Sequence, residues 1–156
     1  MNESRIPLAG RSVLVTGGAG FIGNHLVDAL LAQQAGRVVV VDDLFLGSLS
    51  NLESAIGDDR VVFVRENAAD LFAMDRIVAD HRCDVVLNLA TKALLYSFQN
   101  PEGAYQVNVD LAQTLLYLLR KGAYETLIHL ASSEAYGSAV KFPMDEEHPY
   151  VPETTY

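Results

Sequence analysis

The run Thr16-Gly17-Gly18-Ala19-Gly20-Phe21-Ile22-Gly23 has glycines three apart at 17, 20 and 23, and also spells Gly18-x-Gly20-x-x-Gly23. Glycine at such spacing permits a tight turn, lets backbone approach a pyrophosphate, and allows a helix to pack close on a strand. A helix starting there directs unpaired N–H groups and its positive dipole end at the phosphates. The loop alone is a weak signal. Asp42 strengthens it, because it closes the next apolar run 19 residues beyond Gly23. That is near the spacing at which a carboxylate accepts from a ribose 2′-hydroxyl and repels a 2′-phosphate. These residue types point to a dinucleotide site, with NAD favoured over NADP. The pattern has two other readings: a tight turn followed by an acidic loop, and a methyltransferase, whose second strand can also end in an acid.

The elements that must position these residues alternate along the chain. Ser12 to Thr16 reads as a first strand, and Phe21 to Ala35 as a helix with Ile22, Leu26, Ala29 and Leu30 at helical spacing and Gly36 as its stop. Val38 to Val41 is a continuous apolar run of the kind buried on both faces of a sheet. Val61 to Val64, Val85 to Leu87 and Thr126 to Leu130 repeat the theme. Asp70 to Asp80 reads as a helix, and a longer one is opened by Asn100 as cap and Pro101 in the first turn, running to about Arg120 and ending at Gly122. Strands alternating with helices argue for one α/β domain with a doubly wound parallel sheet. Leu111, Ala112, Leu115, Leu116, Tyr117, Leu118 and Leu119 cover most of the long helix's circumference, which implies burial on more than one side. That burial is either within the monomer or against a second copy, and we expect a homodimer through the 101–120 helix.

Composition limits the function classes. A chain of 156 residues is enough for one ordinary domain, and half of it is hydrophobic. Twenty acidic against 11 basic side chains give a net charge of -9, which repels a nucleic-acid backbone. The lone Cys83 forms no internal disulfide, and no metal-ligand spacing surrounds it, so no metal is expected. Met1 to Gly10 lacks the apolar run of a signal peptide, and no stretch has the length of a membrane span. These features predict a cytoplasmic protein that binds neither nucleic acid nor membrane.

Taken in order, the motifs resemble the extended short-chain dehydrogenase/reductases, specifically the NAD-dependent epimerase/dehydratase group acting on nucleotide sugars. The resemblance starts at Val13 and continues to Tyr156. It rests on the glycine loop and on Val41-Asp42-Asp43-Leu44 followed by Gly47 and Asn51-Leu52. It continues through Leu87-Asn88-Leu89-Ala90, Asn100-Pro101 with Asn108-Val109, and Leu130-Ala131-Ser132-Ser133-Glu134-Ala135-Tyr136-Gly137. It implies a Rossmann-type NAD-binding domain over residues 1–156. Gly17, Gly20, Phe21, Ile22 and Gly23 would line the pyrophosphate. Asp42, Asp43, Leu44 and Gly47 would hold the adenosine ribose, and Leu89, Ala90, Thr91 and Asn108 the nicotinamide side. Asn67 stands where the family usually has an aspartate for the adenine amino group, with Ala68 after it; the amide carbonyl still accepts, without charge assistance.

The resemblance also implies catalytic roles. Ser132 matches the family's catalytic serine or threonine and Tyr156 its tyrosine, 24 residues downstream. The tyrosine takes the proton of a sugar hydroxyl during transient oxidation while the serine orients that oxygen. Glu134 matches a dehydratase glutamate, and a similar Ser-Glu pair occurs in the decarboxylating branch acting on UDP-glucuronate-type substrates. The family's lysine four residues after the tyrosine lies beyond Tyr156. We therefore expect residues 1–156 to be the N-terminal part of an enzyme about twice as long, preceding the last helices and strands and the sugar-binding lobe. A chain ending at Tyr156 would expose part of one sheet face and could act as an NAD-binding module without turnover.

Overall fold

A computed structural model describes residues 7–156; the absence of a leader read from the first ten residues falls, for residues 1–6, outside the described residues. Five strands form one parallel sheet: β1 (Ser12–Thr16), β2 (Arg37–Asp42), β3 (Val61–Arg65), β4 (Val85–Asn88) and β5 (Thr126–His129), in the order β3-β2-β1-β4-β5. Four helices connect or follow them: α1 (Phe21–Ala32), α2 (Leu71–His81), α3 (Leu94–Gln99) and α4 (Pro101–Lys121).

Strand alternation sorts the core into two layers. Val13 and Val15 of β1, with Val38 and Val40 of β2, pack with Val27 and Leu30 of α1. Leu14, Val39 and Val41 point the other way, onto Met74, Ile77 and Val78 of α2 and Leu111, Leu115 and Leu118 of α4. Helices on both faces explain why β2 reads as unbroken valine rather than as an alternation. The strand order reverses beside β1, so the loops after β1, β2 and β4 diverge around one crevice, the place where open α/β sheets bind ligands.

The helix ends follow from their capping residues. The Asp70 carboxylate accepts from Ala73 N at 3.0 Å and the Asn100 amide oxygen from Gly103 N at 2.9 Å, each satisfying an N–H orphaned at a helix start. Gly122 closes α4 with φ +76, a left-handed conformation for which glycine carries no Cβ penalty. Arg120 and Lys121 in the last turn complement the negative end of the dipole.

Two expectations are corrected. The first helix stops at Ala32 rather than Ala35, because Gln34 turns left-handed (φ 62) and Ala35 leaves to bridge Ala9. The short helix α3 between β4 and α4 was not anticipated; it is six residues, too brief for periodicity to distinguish. Within the chain the long helix is covered on one side, which leaves the burial expected against a second copy untested. Leu111, Leu115 and Leu118 are buried, while Tyr105, Leu116 and Tyr117 are each more than half exposed. On the edge strand β5, Ile128 is exposed, as is Leu130 just beyond it. Among the described residues no helix is long and apolar enough to cross a membrane.

Leu115→Ala removes a fully buried side chain from the α4 interface and is expected to cost about 2–5 kcal/mol, measured by denaturant unfolding. Gln113→Ala on the exposed side of the same helix should stay within about 0.5 kcal/mol.

Candidate functional site

The glycine loop is built by close backbone approach. Gly17 has φ +69 and donates from its N to the Val41 carbonyl at 2.8 Å, joining the loop to β2. A Cβ on Gly17 would lie 2.8 Å from Ala90 N in the loop after β4, and one on Gly23 would collide with the Gly17 carbonyl. Helix α1 begins immediately after Gly20, which offers no side-chain cap to its first N–H groups. The start of α1 is thus left for a polar ligand of the crevice.

Asp42, at the end of β2, is 7% exposed and uses both carboxylate oxygens on backbone. One accepts from Ala19 N at 3.0 Å and the other from Leu44 N at 2.8 Å. The second bond holds Leu44 at φ 60, turning the chain toward Gly47, where a Cβ would sit 2.9 Å from an Asp42 oxygen. Asn51 Nδ2 donates to Ala19 O at 2.8 Å from the opposite side. After β3, Asn67 Oδ1 accepts from Ala69 N at 3.0 Å, so one acceptor site of that carbonyl is committed to the turn.

Beneath the crevice, a polar chain crosses three strands. Thr16 Oγ1 donates to Asn88 Oδ1, and Asn88 Nδ2 lies 2.9 Å from His129 Nδ1. Because the Asn88 oxygen already accepts, its NH₂ is the donor, and His129 Nδ1 carries the lone pair. Asn108 reaches from α4 to fix the loop after β4: its Oδ1 accepts from Lys92 N at 2.7 Å and from Thr91 Oγ1 at 3.2 Å, and its Nδ2 donates to Lys92 O at 3.2 Å. Lys92 Nζ then pairs with Asp43 at 2.9 Å and sits 3.7 Å from the centre of the Phe45 ring. This contact spans the loops after β2 and β4, across the glycine loop between them. Burial pushes the Asp43 carboxyl up, but the Lys92 hydrogen bond, the Phe45 N–H and the Lys92 charge outweigh it and leave it below the usual carboxylate range.

One cavity of about 720 Å³ joins these parts, within the roughly 300–1,000 Å³ of small-molecule sites. Gly17, Gly20, Phe21, Ile22, Gly23, Asp42, Asp43, Gly47, Asn67, Ala68, Leu89, Ala90, Thr91 and Asn108 line it, and so do Ser132 and Tyr156 at its β5 end. Two expected residues do not: Leu44 packs inward against the α1-side core, and Glu134 is absent from the lining although Ser132 and Ala135 belong to it. Ser132 caps a single helical turn over Ser133–Tyr136, its Oγ accepting from Glu134 N at 3.1 Å. Sequence reasoning missed Phe45 and His129, and it gave Lys92 no firm cofactor contact. His129 was detectable as a polar residue at a strand's C-terminal end, whereas nothing local marks Phe45 or pairs Lys92 with Asp43. Cys83 is buried, and burial pushes its thiol up to about 11, which removes it as a nucleophile. No cluster of His, Cys, Asp and Glu able to hold a metal occurs among the described residues.

Comparison with known proteins matches the same span. The family model described as GDP-mannose 4,6 dehydratase matches residues 14–156. "UDP-glucose 4-epimerase 2" of Oryza sativa subsp. japonica is 35% identical over 161 residues, covering 99% of this chain and 39% of that protein. "UDP-glucuronic acid decarboxylase 6" of Arabidopsis thaliana is 31% identical, covering 95% of this chain and 41% of that one. Among solved structures, the dTDP-glucose 4,6-dehydratase DesIV from Streptomyces venezuelae, with NAD bound, superposes with a TM-score of 0.85 at 31% identity over 93% of this chain and 47% of its own. The chain therefore spans less than half the length of these relatives.

Protonation of Asp43 breaks its pair with Lys92. Because the carboxyl is depressed, the pair is intact above the ordinary carboxylate range near pH 4 and is lost only as pH falls through a value below it. Lys92→Met should raise the Asp43 titration midpoint, read by carboxyl-carbon NMR; an unmoved midpoint would show that the pair does not form in solution.

Proposed function

This chain belongs to the extended short-chain dehydrogenase/reductases, the NAD-dependent epimerase/dehydratase family, and from that premise we propose that it forms the NAD-binding portion of a nucleotide-sugar epimerase or dehydratase. The observation that carries the reading is the single cavity running from Asn67 and Ala68, over the glycine loop, to Ser132 and Tyr156. Its parts fit the dinucleotide. Positions 17 and 23 exclude any Cβ, α1 starts uncapped at the loop, and Asp42 closes the adenosine side with a buried carboxylate. A bound NAD supplies transient two-electron oxidation at a sugar carbon.

The remaining steps belong to the chain's own residues. Asp42 is presented toward a ribose 2′-hydroxyl and disfavours a 2′-phosphate by charge. Ser132 orients the sugar hydroxyl through its Oγ, and Tyr156 takes that hydroxyl's proton at its phenolic oxygen. Asn108 acts at one remove, fixing Thr91 and Lys92 along the cavity wall. Glu134 serves a later proton transfer only if the Ser133–Tyr136 turn moves its carboxylate into the cavity. The Ser133-Glu134 pair also favours a second reading, a sugar-nucleotide decarboxylase, in which the same oxidation precedes loss of carbon dioxide. A third reading is an NAD-binding module without turnover. In the assembly we propose a homodimer through the 101–120 helix, whose Tyr105 and Leu116 lie three turns apart on one uncovered face. The cytoplasm is the compartment we assign.

Two experiments test this reading. Asp42→Ala should weaken NAD binding by at least about tenfold and relax the preference over NADP, measured by equilibrium titration; unchanged selectivity would remove Asp42 from ribose recognition. Nicotinamide absorbance should change when nucleotide sugars are added to the NAD-loaded protein, and silence across uridine, thymidine and guanosine diphosphate sugars with binding intact would leave the module reading.

A further inference from the structure

Between Lys141 and Tyr150 every residue is exposed except one: His148, a polar ring, is 2% exposed. Its contacts fix its proton. Val140 N, which can only donate, lies 3.0 Å from Nε2, so Nε2 is the acceptor. The Pro149 carbonyl, which can only accept, lies 3.1 Å from Nδ1, so Nδ1 carries the hydrogen. The ring is therefore the neutral Nδ1–H tautomer, bonded to the two ends of the segment it interrupts.

The same segment is closed at its base. The Tyr136 and Tyr150 rings stack at 4.8 Å and 18°, and His148 meets Tyr136 edge-on at 5.8 Å. Ser138 Oγ donates to Glu153 at 2.9 Å, and Gly137, at φ +67, leaves no room for a Cβ beside the Val151 carbonyl. Ser132 enters this base four residues before Tyr136, and Tyr156 leaves it three residues after Glu153. Both line the cavity, so the loop is what brings residues 24 apart to one site.

We propose that His148 is a pH-sensitive positioning residue: as the neutral Nδ1–H tautomer it clasps the 137–151 loop and holds Tyr156 at the cavity, and protonation of Nε2 opens the clasp. Protonation sets one N–H against another and leaves the Val140 amide without its acceptor on the ring. The charged and titratable groups around the ring are Asp145, whose carbonyl accepts from His148 N and whose carboxylate binds Lys141, then Glu146 and Glu147, Glu153 at the loop base, and the Tyr136–Tyr150 pair. The clasp holds above the ring's titration and is lost below it. The consequence for proton transfer rests on the reading of Tyr156 given above; the clasp itself does not.

Nitrogen-15 NMR of the histidines, with exchange protection of the Val140 amide between about pH 8 and about pH 5, tests the proposal. His148 should show the Nδ1–H tautomer at the upper pH. One unit below its midpoint only about one ring in ten stays neutral, so Val140 protection should fall about tenfold there. Tyr156 ring resonances should shift with the same midpoint. In His148→Gln, whose amide neither titrates nor gains a proton, both dependences should vanish. An Nε2–H tautomer, protection indifferent to pH, or the same dependence in the glutamine variant overturns the clasp. A Tyr156 that ignores the His148 midpoint overturns the positioning role. NAD titration at about pH 8 separates the two readings, because absent binding with an intact clasp removes the proposed function and leaves the clasp standing.

Discussion

The site depends on how the Asp42 carboxylate is committed. Its oxygens accept from Ala19 N in the glycine loop and from Leu44 N in the loop after β2, so one buried side chain sets the spacing between the two loops that bound the crevice. A buried carboxylate is costly without partners, and two backbone N–H groups supply them. The same bonds turn Leu44 away from the cavity and bring Gly47 to within reach of the carboxylate. Assembly of both loops is thus a function of the group proposed to meet the ribose.

Around that anchor, the crevice presents an electrostatic problem. Its lining carries Asp42, Asp43 and Glu66 against Lys92 as the single lysine or arginine, while the ligand that fits is a diphosphate. Two features offset the acidity. Asp42 turns both oxygens to backbone donors, and α1 starts at the loop with N–H groups that no side chain caps. Lys92 balances Asp43 and rests on Phe45, a ring held edge-on by Tyr96 at 5.2 Å. The loops after β2 and β4 are therefore joined by charge as well as by the sheet beneath them.

The opposite end of the cavity is organised differently. Ser132 and Tyr156 lie outside regular strands, on a turn and an extended segment, and their proximity is made by side-chain contacts within the intervening loop rather than by sheet hydrogen bonds. The half proposed to hold NAD is held by backbone ladders, whereas the half assigned to proton transfer is held by a few aromatic and polar contacts. Local stability in proteins follows such differences in burial and contact.

The sequence by itself determined the parallel α/β plan, the five strands, the ends of α2 and α4, and the crevice's glycine loop and acid, because each depends on local chemistry. Valine runs report burial on two faces, Asp70, Asn100 and Gly122 report helix termini, and glycine at 17 and 23 reports backbone contact. Tertiary structure alone decided the rest. Which side of α4 is covered depends on where the sheet lies, so Leu115 and Leu116 are indistinguishable by type and opposite in burial. The Lys92–Asp43 pair joins residues 49 positions apart, and Thr16, Asn88 and His129 meet only because β1, β4 and β5 lie side by side. Glu134 is two residues from Ser132 along the chain, yet only Ser132 lines the cavity. Periodicity records how a residue faces its own element, and long-range contacts follow only from how the elements are stacked.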